Sequence, residues 1–164
     1  MPHTRIWLYS DPHFGDKGII PYSKRPFADV DEMDESLIKR YNGVVVSPED
    51  RVIFLGDIGR RPIEQLKKIF DRLNGTKILV RGNHDRGTIS MFNMGFAMVM
   101  DEASMTLDGQ RIYIAHRPRA VLPPLCAGVF HGHIHTADRE GLLRAFNNRS
   151  RSLANFPGDE LVDI

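Results

Sequence analysis

The chain has 164 residues, enough for one domain with a core of its own and no need of covalent staples. Lys and Arg total 22 against 21 for Asp and Glu, and hydrophobic residues make up 41%. This balance excludes a histone-like polycation and an acidic disordered tail. One cysteine, Cys126, excludes an internal disulfide and a cysteine-rich zinc site, and it suits a reducing cytoplasm.

The first apolar run, Ile6 to Tyr9, ends in Ser10-Asp11-Pro12-His13 and reads as a strand. No signal-like apolar region precedes it, and no window approaches the roughly 20 apolar residues of a membrane span. Asp31 to Tyr41 reads as a helix, with Met33, Leu37, Ile38 and Tyr41 on one stripe, acidic residues in the first turn and Lys39 and Arg40 in the last. Arg51 to Leu55 is the next strand and runs into Gly56-Asp57. A second helix is predicted over Pro62 to Leu73, with proline at its start and Asn74-Gly75 as its stop. Lys77 to Val80 is a third strand and runs into Arg81-Gly82-Asn83-His84-Asp85. Phe96 to Met100, Ser104 to Leu107 and Arg111 to Ala115 follow as successive strands, the last two joined by the hairpin signal Asp108-Gly109. His116 follows the last of them, and Gly128 to Phe130 runs into His131-Gly132-His133-Ile134-His135. The segment 147–164 is polar and turn-rich, and no element is assigned to it. Strands alternating with helices predict an α/β fold, and the whole chain, 1–164, is expected to be a single domain.

Five polar clusters thus follow strand ends, where ligands bind in open α/β sheets. They offer Asp11, His13, Asp57, Asn83, His84, His116, His133 and His135. Carboxylate, imidazole and amide oxygen without thiolate suit Mn, Fe, Zn or Ni better than Cu(I) or an iron–sulfur cluster. There are too many donors for one ion, and seven divide between two if one carboxylate bridges them. In Asp11-Pro12-His13 and His133-Ile134-His135, residues two apart lie on one side of an extended segment and can face one ion. His131 shares that phase, but Gly132 permits a sharp turn, so His131 is expected to support the site rather than bind. Taken singly, Asp-x-His is a turn, Gly-Asp a loop, Gly82-Asn83 a helix cap and His116 a satisfied core histidine. Five such clusters in order, each at a strand end, are poorly explained by coincidence.

This pattern resembles the calcineurin-like metallophosphoesterase superfamily, whose signature is Asp-x-His, Gly-Asp, Gly-Asn-His-Asp/Glu, a single His, and Gly-His-x-His. The resemblance spans Asp11 to His135. It implies a four-layer αββα sandwich, two mixed β-sheets flanked by helices, with two divalent metal ions at the strand ends; manganese is the expected metal. Asp11, His13, Asp57 and His135 would hold one ion. Asp57, Asn83, His116 and His133 would hold the other, with Asp57 shared. His84 would contact the substrate phosphate and protonate the leaving oxygen, and Asp85 would orient His84. Two ions about 3.5–4 Å apart clamp phosphoryl oxygens and activate a water at neutral pH. Histidine, which titrates near neutrality, suits the acid role.

Arg60, Arg61, Arg86, Arg117 and Arg119 follow the motifs, and Arg86, directly after His84-Asp85, is expected at the substrate with Asn83 and His84. Phe14, Tyr22 and Phe27 are expected in the core rather than against a base. Gly56-Asp57-Ile58-Gly59-Arg60-Arg61 departs from the Gly-Asp-x-x-Asp-Arg-Gly of the phosphoprotein phosphatases, and Asp85 replaces their Glu, which argues against protein phosphatase activity. Phe146-Asn147-Asn148 only partly resembles the family's terminal strand. The core is near minimal, so substrate selection would fall to the loops Phe14 to Pro26 and Pro118 to Cys126. The expected substrates are phosphate esters, diesters ahead of monoesters, with a nucleotide or short single-stranded nucleic acid as candidate. Phosphomonoesterase, nucleotide pyrophosphohydrolase, nuclease and a non-catalytic metal-binding scaffold are the alternatives. Near-neutral charge gives no footprint for long duplex DNA.

Overall fold

The computed structural model describes residues 4–135. His3, Phe146-Asn147-Asn148 and the polar segment 147–164 lie outside the described residues. The element order is β1 (Ile6–Tyr9), α1 (Ile19–Tyr22), α2 (Val30–Val44), β2 (Arg51–Phe54), α3 (Ile63–Phe70), β3 (Thr76–Val80), α4 (Thr88–Asn93), β4 (Met98–Met100), β5 (Glu102–Leu107), β6 (Gln110–Ala115) and β7 (Gly128–Phe130).

Two sheets form. The first has the order β1-β2-β3-β4 and the second β5-β6-β7. All three pairings of the first sheet are parallel, because each crossover from β1 to β4 carries a helix. Mixed pairing is confined, among the described residues, to the second sheet, where β5 runs antiparallel to β6 and β7 parallel. Asp108 (φ 46°) and Gly109 (φ 78°) make the predicted tight turn between β5 and β6.

The apolar strands are covered on both faces. Tyr9, Val52, Phe54 and Leu79 pack against Met33, Leu37, Ile38 and Tyr41 of α2, Leu66 and Phe70 of α3, and Met91 of α4. The alternate residues, Leu8, Ile53, Leu55, Ile78 and Val80, pack against Ala103, Met105, Ile114 and Phe130 of the second sheet. Helices, sheet and sheet therefore stack as an α/β sandwich, the class the sequence predicts.

Helix α2 begins on Asp29, whose side chain accepts from the amides of Asp31 (3.0 Å) and Glu32 (2.9 Å). It runs three residues past Tyr41, and no basic residue lies in its last turn. The extension is tied to the turn before β3: Tyr41 donates to the Asn74 carbonyl (2.9 Å) and Asn42 to that of Arg72 (2.8 Å). Helix α3 is shorter than predicted, with Pro62 as its cap and Phe70 its last residue. Helices α1 and α4 carry no local signal strong enough to be predicted; α1 lies inside the segment expected to be a loop. Among the described residues no helix is long and apolar enough to cross a membrane.

Candidate metal centre

The five polar clusters converge. Asp11 and His13 follow β1, Asp57 follows β2, Asn83 and His84 follow β3, His116 follows β6, and His133 and His135 follow β7. The donor atoms form two groups, Asp11 with His13 and His135, and Asp57 with His116 and His133, and within each group they lie no more than 4.8 Å apart. Asp57 stands between the groups: its Oδ2 is 3.6 Å from His13 Nε2 and 3.4 Å from His116 Nε2. Asn83 Oδ1 and His133 Nδ1 lie 3.1 Å and 3.2 Å from the same His116 Nε2. All seven predicted donors are thus brought together.

The backbone that presents them is unusual. Asp11 (φ 51°), His13 (φ 54°), Asp57 (φ 54°) and His133 (φ 70°) are all left-handed, a conformation that L-residues avoid without compensation. Cross-loop hydrogen bonds supply it: His13 N donates to the Asp57 carbonyl (3.0 Å), Gly132 N to that of His116 (3.0 Å), and His133 N to Asp11 Oδ2 (2.9 Å). The glycines are needed for close approach. A Cβ on Gly132 would overlap the Ser10 hydroxyl and Asp11 Oδ2, and one on Gly82 would overlap the Asp57 carboxylate.

The donors fit cations. Asp11 Oδ1 and both ring nitrogens of His13 are buried without a hydrogen-bond partner, an arrangement that is costly unless a ligand completes it. Burial pushes the His13 imidazole down to about 4, so it is neutral and able to ligate near pH 7. Burial alone would raise Asp57, but hydrogen bonds from His116 and the His84 amide hold its carboxyl at about 2, ionised. Burial also disfavours the charged form of His116, yet Asp57 and the Leu55 carbonyl outweigh it and raise its pKa. His116 Nδ1–H donates to the Leu55 carbonyl (2.7 Å), which turns Nε2 toward the other donors. His133 is lowered by burial and then by His116 and Arg117.

A cavity of about 370 Å³ opens over these groups, lined among the described residues by His13, Asp57, His84, His133 and His135 together with Asp16, Ile19, Tyr22 and Arg60. His84 is exposed, its ring 5.7 Å from that of His13. Tyr22, expected in the core, is instead 56% exposed and meets His135 edge-on at 5.8 Å. Phe14 is buried as expected, and Phe27 packs against the core. His131 Nδ1–H donates to the Gly132 carbonyl (2.9 Å).

Two expectations need correction. Asp85 does not turn its carboxylate to the His84 ring. It accepts from the amides of Gly82 (2.7 Å), Ile58 (2.8 Å) and Asp57 (3.0 Å), and so ties the loop after β3 to the loop after β2. Arg86 does not line the cavity; its Nη2 donates to the Arg61 carbonyl (3.4 Å), and Arg60 takes the place beside His84.

Two supports escaped sequence reasoning. Arg25 donates to the carbonyls of Asp11 (2.7 Å) and Pro12 (2.8 Å), which holds the first donor turn from behind. Buried Asp34 accepts from Gly15 N (2.9 Å) and Arg61 Nε (3.1 Å). Either residue looks in the sequence like a member of a solvated charged face; only its distance in chain from its partners, bridged by the fold, reveals the role.

Comparison with known proteins agrees with the geometry. The family profile described as calcineurin-like phosphoesterase matches residues 4–151. The chain is 33% identical over 138 residues to uncharacterized protein MJ1445 of Methanocaldococcus jannaschii, covering 82% of this chain and 72% of that one. The crystal structure of a protein of unknown function from Aquifex aeolicus, AQ665, shares the fold with a TM-score of 0.62 at 25% identity, covering 89% of this chain and 73% of that chain. The chain belongs to the calcineurin-like phosphoesterase family, metal-dependent hydrolases of phosphate esters.

Proposed function

We propose that this chain is a dimetal phosphoesterase that prefers phosphodiesters. The Asp57 carboxylate carries the reading, because Oδ2 stands 3.6 Å and 3.4 Å from histidine nitrogens of the two donor groups and can serve both. Asp11, His13, His135 and Asp57 would hold one divalent ion, and Asp57, Asn83, His116 and His133 the other. Manganese is the proposed metal, with iron, zinc or nickel suited to the same donors. When bound, such a pair stabilises charge on phosphoryl oxygens and makes water a nucleophile at neutral pH.

The chain's own side chains do the remainder. His84 is the proposed acid for the leaving alkoxide. Its backbone N–H donates to Asp57 Oδ1 (2.9 Å), which fixes the acid relative to the shared carboxylate. The Arg60 guanidinium rests against the His84 ring, Nη2 2.7 Å from Nδ1 and 3.5 Å from Nε2. Asp85 acts at one remove, by holding the loops that carry Asp57 and His84.

The roomy cavity supports a substrate with groups on both sides of the phosphorus. The exposed Tyr22 ring at its wall supports an aromatic group there, a nucleotide among them. One domain over residues 1–164 is proposed, since both sheets share one interior. The free Cys126 supports a reducing compartment such as the cytoplasm.

The test uses manganese-loaded protein with bis-p-nitrophenyl phosphate and p-nitrophenyl phosphate. The diester should turn over faster. His84→Ala should lower kcat by roughly 10²–10⁴-fold with metal content unchanged. Two bound metals and no turnover of either ester would overturn the reading. A panel of cyclic nucleotides, dinucleotides, nucleoside phosphates and short oligonucleotides then ranks the nucleotide and nuclease readings.

A further inference from the structure

Five arginines follow the metal motifs, and the fold sorts them by what they already hold. Arg61 gives Nε to Asp34 (3.1 Å) and Nη2 to Asp31 (2.6 Å). Arg119 is engaged by Glu102. Arg86 reaches the Arg61 carbonyl, and Arg117 is exposed without lining the cavity. Among the described residues Arg60 is the arginine that lines the cavity.

Its place is built rather than incidental. Arg60 N donates to the Phe14 carbonyl (2.9 Å), beside the bridge that pairs Phe14 with Gly59, so its backbone is locked to the turn that presents His13. Arg60 Nε lies 3.4 Å from Asp16 Oδ2, and the same oxygen lies 3.4 Å from His13 Nδ1. Asp16 is anchored in turn, its Oδ1 accepting from Gly18 N (2.9 Å) and its N–H donating to the His13 carbonyl (3.0 Å). Arg60 Nη2 rests 2.7 Å from His84 Nδ1. The side chain is nonetheless 52% exposed, and no hydrogen bond of Nη1 is found among the described residues. A fixed cation with a free edge, anchored at one end and touching the proposed acid at the other, is what a phosphate oxygen beside that acid requires.

We propose that Arg60 binds a non-bridging oxygen of the substrate phosphate, and of the orthophosphate product, next to His84, and that Asp16 positions it. The inference rests on the reading of the cavity as a phosphate-ester site. It assigns to Arg60 the role that position in sequence suggests for Arg86.

Calorimetric titration of manganese-loaded protein with inorganic phosphate tests the assignment without turnover. Arg60→Ala should weaken phosphate binding by about 10–100-fold, the loss expected for one charge-assisted contact. Arg60→Lys should recover part of it, since the charge remains and the fork does not. Arg86→Ala should stay within about twofold of the parent protein. Metal content is measured in each variant. Unchanged phosphate affinity in Arg60→Ala overturns the proposal, as do loss of metal from that variant, a parent protein that binds no phosphate, or a loss that falls on Arg86→Ala instead. If the parent protein turns over neither ester while Arg60→Ala alone loses phosphate, the assignment stands and the phosphoesterase reading fails. If esters are hydrolysed and Arg60→Ala binds phosphate normally, the reverse holds.

Discussion

Removing the Asp85 carboxylate should cost stability before it costs chemistry. Its Oδ2 accepts from Gly82 N (2.7 Å) and Asp57 N (3.0 Å), and its Oδ1 from Ile58 N (2.8 Å). A hydrogen bond to a charged acceptor contributes about 1.5–3 kcal/mol, but three on one group are not independent, so Asp85→Ala should lose about 3–5 kcal/mol. Asp85→Asn should cost less, about 2 kcal/mol. With the amide oxygen at the position of Oδ2, two amides keep an acceptor, while the amide nitrogen faces Ile58 N–H, donor against donor. For a chain of this length, about 2–4 °C accompanies each kcal/mol, which places the Asp85→Ala melting temperature roughly 10 °C below the parent. Thermal and denaturant melts of the stripped and metal-loaded forms provide the assay. Because Asp57 and Gly82 are both released, metal affinity should fall along with stability. A variant that melts like the parent and binds metal normally, yet is inactive, would refute this and return Asp85 to the His84 ring.

Three further outcomes follow from the same geometry. Gly132→Ala would bring a Cβ onto Asp11 Oδ2 and the Ser10 hydroxyl, so metal titration should show at least about tenfold weaker binding at the Asp11 group. Phe54 is fully buried among Tyr9, Tyr41, Phe70 and Phe96, with ring centroids 5.3–6.4 Å apart, and Phe54→Ala should cost about 3–5 kcal/mol in a denaturant melt. In metal-free protein, His13 falls from 6.5 to about 4 on folding. The unfolded chain therefore binds more protons between those values, and stability present above pH 6.5 is lost as the pH falls through about 4, by on the order of 3 kcal/mol. Melting temperature followed over that window should fall in the parent and fall less in His13→Gln, and parallel curves would contradict the burial of a neutral His13.

The donors were legible in the sequence because each sits directly after a run whose residue types and length specify a buried strand. Val52 and Phe54 face helices while Ile53 and Leu55 face the second sheet, so the chain order alone places Asp57 at the edge of the interior. Spacing also put Asp11 with His13, although the left-handed backbone at both shows a turn more contorted than an extended segment. What stayed hidden depends on contacts between remote parts of the chain. Arg86 is nearer in sequence to His84, but Arg60 reaches it because the Phe14–Gly59 bridge draws two loops together. Asp85 sits next to His84 and points the other way, into three amides that only the assembled loops expose. Helix α1 spans four residues, too short for a periodic pattern, yet it sets Tyr22 in the cavity wall.

The most direct test is a manganese titration of chelator-stripped protein with the rate of bis-p-nitrophenyl phosphate hydrolysis recorded at each addition. Two equivalents should bind, activity should rise with the second, and Asp57→Asn should abolish that second step. Binding of a single equivalent that already gives full activity, or two bound equivalents without hydrolysis, would contradict a centre in which one carboxylate serves two ions.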